Sequence, residues 1–211
     1  CFYKGRQVLE LLNRFANESG NFDWSVAYHS YPEDLRYPDF YNDRTAEFSF
    51  STPRITFKNI EMLPAYLSQE RFLYRGKERR IILSEQGFNS REDQLSERQG
   101  AAAYCLAYEK VRKLPTIDMM MHHAYADNFA EFGLHLGIRR RNPDGSIGDA
   151  RPIYYVMKDM GTEMEQSRVK DAREYIGAEL FDSILSPAIL MGDDPLADNM
   201  QFQDNADGDE K

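Results

Sequence analysis

The chain has 211 residues, 42% of them hydrophobic and 29% charged, with a formal net charge of −9. That length holds one domain with a sizeable core. No apolar run reaches the ~18–20 residues of a membrane span, and the acidic balance argues against nucleic acid as a partner. Much of the charge sits in the tail, where Asp193 to Lys211 carries seven acids against one Lys. Residues 1–190 therefore read as the folded domain and 191–211 as an acidic, disordered tail. Two cysteines, Cys1 and Cys105, make no disulfide framework. The start at Cys1 reads as a processed end or as the C-terminal part of a longer chain. Thirteen Tyr, thirteen Phe and one Trp suit either core filling or stacking on planar and sugar faces.

A helix is expected over Arg6–Asn17, where Val8, Leu9, Leu11, Leu12 and Phe15 make one apolar face. Gly20 and Asn21 end it. Phe22 to His29 alternates as a strand and runs into Tyr28-His29-Ser30-Tyr31-Pro32, where Pro32 stops the pairing. A long loop from Glu33 to Pro53 carries Tyr37, Phe40, Tyr41, Phe48 and Phe50; aromatic loops of this length are functional more often than disordered. Thr56–Ser68 reads as a helix kinked at Pro64. Lys77–Glu85 reads as a strand, its Ile81-Ile82-Leu83 run suited to burial on both faces of a parallel sheet. Glu85 closes that run, and Gly87 allows a sharp turn or a close approach. Ser90, with Asp93 three residues on, is the expected cap of a helix to about Lys113.

Ile117-Asp-Met-Met-Met121 is a further strand, ending in His122-His123-Ala124-Tyr125. Phe132, Leu134, Leu136 and Ile138 alternate as a strand or hairpin arm, and Asn142-Pro143-Asp144-Gly145 is a turn. Pro152 suits the first turn of a helix through Tyr155 to Met157. A last helix is expected from about Gln166 to Ile176. Strands separated by helical connections make an α/β chain with parallel strands. Gly-x-Gly-x-x-Gly is absent, so a dinucleotide fold has no support.

All three strands end in polar or aromatic groups: Tyr28, His29 and Tyr31; then Glu85 and Gln86; then His122, His123 and Tyr125. Parallel strands bring such ends to one edge, where chemistry is placed in α/β folds. Each group alone is as readily a satisfied core histidine or a surface carboxylate; convergence from three strands is what favours a site.

The order His29-x-Tyr31-Pro32, Ser84-Glu85-x-Gly87 and a His/Tyr-rich strand end resembles the last three strands of clan A retaining glycoside hydrolases, which are (β/α)8 barrels. The segment from Gly137 through Asp144-Gly145 to Arg151-Pro152 and Met157 is similar to their last strand, hairpin and final helix. More closely, Tyr28–Pro32, Ile55–Asn59 and Leu83–Phe88 resemble a bacterial domain-of-unknown-function family with a glycoside-hydrolase-like barrel. The resemblance covers roughly Val8 to Gly161. It implies the C-terminal portion of a TIM barrel, about strands six to eight, with the N-terminal half missing. It further implies a carbohydrate partner, no cofactor, and an extracellular or cell-surface location. Glu85 would be the nucleophile; His29, Tyr31, Gln86, His122, His123 and Tyr125 would line the sugar site. A retaining enzyme needs a second carboxylate ~5–5.5 Å from the first. In this clan it follows an Asn at a strand end, and no Asn-Glu pair follows a strand here, so the acid/base is expected outside this chain. Two other readings stay open. One is a non-catalytic carbohydrate-binding barrel. The other is a metal-dependent hydrolase using His29, His122, His123 and Glu85, against which stands the opposite facing of adjacent strand residues.

Overall fold

The computed structural model describes residues 5–186; the expected disordered tail lies outside the described residues. Helix α1 (Gly5–Glu18) ends at Gly20 and Asn21, both with positive φ (91° and 59°), as the sequence suggests. Its face is not the expected one. Asn13 and Ala16 are buried, whereas Val8, Leu11, Leu12 and Phe15 are exposed. Strand β1 is only Val26–Tyr28, shorter than the Phe22–His29 alternation. The missing residues turn away because the Phe22 carbonyl accepts from the Trp24 N–H (3.1 Å) and from Arg79 (2.6 Å).

The loop that follows is built, not loose. The Glu33 carboxylate accepts the Arg44 and Thr45 N–H groups at 2.8 and 2.9 Å. Its aromatics do not all face a ligand: Phe40 and Tyr41 are buried, in a single turn of 3-10 helix over Phe40–Asn42. The helix expected over Thr56–Ser68 is split. Thr56 and Asn59 form a capping box around the 3-10 turn Phe57–Asn59, and α2 runs only Met62–Leu67. Pro64 then falls in the first turn of α2, where its missing N–H has no intrahelical partner to lose, so it causes no kink.

Strand β2 (Ile81–Gln86) starts four residues late. Arg79 is fully buried, bonded to Phe72 O, Phe22 O and Asn21 Oδ1, and lies 4.3 Å over the Trp24 ring. That role holds the residues before Ile81 out of the ladder. Helix α3 (Gln94–Val111) is capped by Asp93, whose carboxylate accepts the Ser96 N–H at 2.8 Å. The predicted cap, Ser90, is buried instead with its hydroxyl unpartnered. Strand β3 (Ile117–His122) closes the sheet. The expected arm over 132–138 is not a strand; the hairpin is β4 (Arg139–Arg141) with β5 (Ile147–Ala150), joined through the Asn142–Gly145 turn. Helix α4 (Pro152–Asp159) begins on Pro152, α5 spans Glu165–Ile176, and α6 (Ala178–Leu185) was not foreseen.

The main sheet runs β1-β2-β3, all parallel, with Val26 opposite Ile81 and Ile81 opposite Ile117. One face of it is covered. Ile81 and Leu83 share one core with Phe57, Phe88 and the α3 residues Ala101, Ala102, Ala103 and Ala107. The expectation that β2 is buried on both faces fails, since Ile82, Ser84 and Glu85 are only partly buried. Met119 and Met121 on β3 are exposed. Among the described residues, no helix is long and apolar enough to cross a membrane.

Candidate functional site

The site begins with a fault in the strand. Leu83 pairs with Met120 and Gln86 with His122, so β2 advances three residues where β3 advances two. The extra residue is a bulge, which turns the side chains beyond it to the other face. Under strict alternation Glu85 would follow Ile81 and Leu83 into the core. An unpaired carboxylate there would cost several kcal/mol. With the bulge, Gln86 is the buried residue and the Glu85 side chain stays 42% exposed at the C-terminal end of the strand. Gln86 fixes the arrangement, its amide donating to the carbonyls of Met121 and Leu83.

Two groups from the end of β1 close on Glu85. The Tyr31 hydroxyl donates to Glu85 Oε1 at 3.0 Å, and His29 Nδ1 lies 3.9 Å from the same oxygen. The two rings meet edge to face at 6.5 Å. Burial raises the Tyr31 phenol well above its ordinary value, and the hydrogen bond to Glu85 and the nearby charges of Glu85 and Glu131 add to this. Tyr31 is therefore a proton-bearing donor over the whole working range.

The end of β3 joins from the other side. The His123 N–H donates to the Gln86 carbonyl at 2.8 Å. A Cβ at Gly87 would stand 2.4 Å from the His123 carbonyl oxygen, so the two strand ends can approach this closely only with glycine there. His123 Nε2 lies 3.2 Å from Glu131 Oε1, and the Asn128 amide donates to that oxygen at 3.2 Å. The structure thus gathers Glu85, His29, Tyr31 and His123 at one edge and adds Glu131, which the sequence reading did not single out. The available signal was local: Asn128 Oδ1 accepts the Ala130 N–H, and the Glu131 N–H donates to the Asn128 carbonyl, a polar turn directly beyond the strand end.

Other predicted site residues lie elsewhere. His122 is on the opposite face, stacked on Phe88 and edge-on to Tyr104, with Nε2 2.9 Å from the Leu136 carbonyl. Burial pushes its pKa down to about 4. Gln86 is buried, and Tyr125 points into solvent. With His122 turned away, the set His29, His122, His123 and Glu85 is not assembled. Among the described residues, no group of three or more His, Cys, Asp or Glu is placed to hold a metal ion. The chain's one Asn-Glu pair, Asn17-Glu18, closes α1 and not a strand.

These features define a mixed α/β chain whose three-stranded parallel sheet carries two carboxylates, a tyrosine and two histidines at one edge. It belongs to a family of unknown function (DUF5722), whose model matches residues 1–184. No curated protein and no solved structure matches it.

Proposed function

We propose that the chain forms about strands six to eight of a (β/α)8 barrel of glycoside-hydrolase type, and that it supplies the nucleophile, Glu85, for retaining hydrolysis of glycosidic bonds. The observation that carries this is the bulge that turns Glu85 out of the core and into hydrogen-bonding reach of Tyr31. Among the described residues, only Oε1 of Glu85 is anchored, by Tyr31 with His29 beyond. The other oxygen is available to attack an anomeric carbon as the bond to the leaving oxygen breaks. The leaving oxygen takes a proton from the second carboxylic acid of the pair, expected outside this chain, and water then releases the sugar from Glu85.

The barrel reading draws on surfaces left uncovered. A parallel sheet is ordinarily covered on both faces, yet Met119 and Met121 are exposed, as are Val8, Leu11, Leu12 and Phe15 of α1. A groove of about 400 Å³ runs along β1 and is lined by Val8, Leu9, Val26, Tyr28 and Met62. Further strands and helices of a barrel would cover these positions. The 211-residue chain alone is accordingly expected to self-associate; a monodisperse monomer with a sharp cooperative melt would count against the barrel.

The test of function is Glu85→Gln in the full-length protein, assayed on a panel of 4-nitrophenyl glycosides. Release should fall by roughly a thousandfold or more. Unchanged release would remove Glu85 from the mechanism. Sugar binding with no turnover in the parent would favour a binding barrel instead.

A further inference from the structure

Glu131 repeats the layout of Glu85. One oxygen, Oε1, takes both His123 Nε2 and the Asn128 amide, and the side chain is 26% exposed. Among the described residues, neither Glu85 nor Glu131 has an Arg or Lys within ion-pair distance; each has a histidine. Both act on the same hydroxyl, since Tyr31 bonds Glu85 and feels the charge of Glu131. Donors already on Oε1 suit a carboxylate that accepts further hydrogen bonds rather than one that hands over a proton.

The neighbours of Glu131 are unusual. Phe129 and Phe132 flank it and are exposed, Phe132 fully so at 100%. Phe132 also has φ of +53°. That conformation costs a bulky residue about 1 kcal/mol or more, and no packing against the core offsets it. Exposed aromatic rings beside a half-satisfied carboxylate are the chemistry that binds a sugar: the C–H face stacks on a ring and hydroxyls donate to the acid.

We infer that Glu131 is the specificity-determining carboxylate of this site: its free oxygen accepts a ring hydroxyl of the sugar whose anomeric carbon faces Glu85, while His123 and Asn128 hold it in position. The ligand class is a neutral, polyhydroxylated sugar with one hydroxyl within reach of the Glu131 loop. Anionic sugars are disfavoured, because two carboxylates without a compensating Arg or Lys repel them. This inference rests on the glycosidase reading for the position of the anomeric carbon, but not for the binding itself.

The experiment uses the full-length protein and 4-nitrophenyl glycosides with their 2-, 3-, 4- and 6-deoxy analogues. Turnover is measured for the parent and Glu131→Gln, and binding by calorimetry in a Glu85→Gln background with and without Glu131→Gln. Loss of a hydrogen bond to a charged group should lower kcat/KM and affinity about 10- to 100-fold for the fully hydroxylated glycoside. The loss should shrink to less than about threefold on the one deoxy analogue lacking the recognised hydroxyl. An equal loss on every analogue would make Glu131 structural and overturn the inference. So would a Glu131→Gln enzyme that keeps activity on the 4-nitrophenyl glycoside but loses it on the matching methyl glycoside, the mark of a proton donor. Hydroxyl-dependent binding without turnover would sink the hydrolase reading and leave the inference standing; neither binding nor turnover would sink both.

Discussion

Two pairs of carboxylates, Asp127 with Glu97 and Glu85 with Glu131, are nested along the chain and are treated in opposite ways by the fold. Asp127 is held on both oxygens. Its Oδ1 accepts the Gly137 N–H and Arg151 Nη1, each at 2.9 Å, and Oδ2 accepts Arg151 Nη2 at 2.7 Å. Glu97 joins it through Arg140 and Arg151 Nε. All three residues, Arg151, Asp127 and Glu97, are buried. Glu85 and Glu131 are partly exposed and, among the described residues, each is tied by one oxygen, with histidines in place of arginines. A permanent cation buried between two carboxylates locks β4 and the start of α4 to the loop after β3. Partial exposure, a spare oxygen and no Arg or Lys partner among the described residues leave a carboxylate able to meet something else. The first arrangement holds the structure, and the second is what a site requires.

That contrast breaks most visibly if activity and stability are measured on both groups. Glu85→Gln should remove activity, as stated above, while changing stability by no more than about 1 kcal/mol, the range for a partly exposed side chain. Arg151→Ala strands the buried Asp127, takes one of two Arg partners from Glu97 and should cost about 3–5 kcal/mol, read as a lower urea midpoint at constant slope. A large stability loss in Glu85→Gln, or a small one in Arg151→Ala, would reverse the assignment.

The histidines sharpen the comparison through pH. His122 is the buried member, with its pKa lowered from 6.5 to about 4 mainly by burial. A depressed histidine is fully compatible with the fold above its unfolded pKa. The unfolded chain binds its proton first as pH falls, so stability is lost between roughly pH 6.5 and 4, by up to about 3 kcal/mol. Asp43, raised to about 6 chiefly by burial, acts in the opposite sense and gains stability as pH falls through the same window. The quantity to measure is therefore the difference between parent and His122→Phe, which keeps the ring stack on Phe88 and Tyr104. The variant should lose less stability than the parent from pH 7 to 4.5; parallel curves would show that His122 is not held neutral by the core.

The sequence carried the parts of this picture that are local. The Ile81–Leu83 and Ile117–Met121 runs, Gly20-Asn21 after α1, the Asn142–Gly145 turn and Pro152 at the start of α4 each act through their own residues, and each stands where expected. What failed depends on partners far along the chain. The bulge at Glu85 is a register between β2 and β3 and leaves no mark in either strand alone. Asp93 displaced Ser90 as cap because Asn89 is tied across the fold, to the Arg36 carbonyl and the His135 N–H, and Ser90 is buried beside it. The Ile55–Asn59 motif, part of the resemblance, proves to be a clasp: the Asn59 amide donates to the Glu47 and Arg54 carbonyls and closes the aromatic loop. His122 and His123 were separable in principle, since neighbours on a strand face opposite ways; which one faces the core depends on α3 and could not be read from the pair.

The smallest expected effect is the most specific to the edge. Tyr31→Phe removes one hydroxyl and keeps the ring against His29. Tyr31 is part-buried and its only side-chain hydrogen bond among the described residues is to Glu85, so stability should move by less than about 1 kcal/mol. Activity should fall by roughly tenfold, because Glu85 Oε1 loses the donor that fixes its orientation and the attacking oxygen is no longer aimed. The comparison with Asp127 sets the outcome that matters: displacing one of its several donors, the backbone N–H of residue 137, by Gly137→Ala forces a Cβ to within 2.3–2.6 Å of three backbone atoms and lowers stability first. A Tyr31→Phe protein that melts early but turns over normally would place Glu85 with Asp127, among the carboxylates that hold the fold.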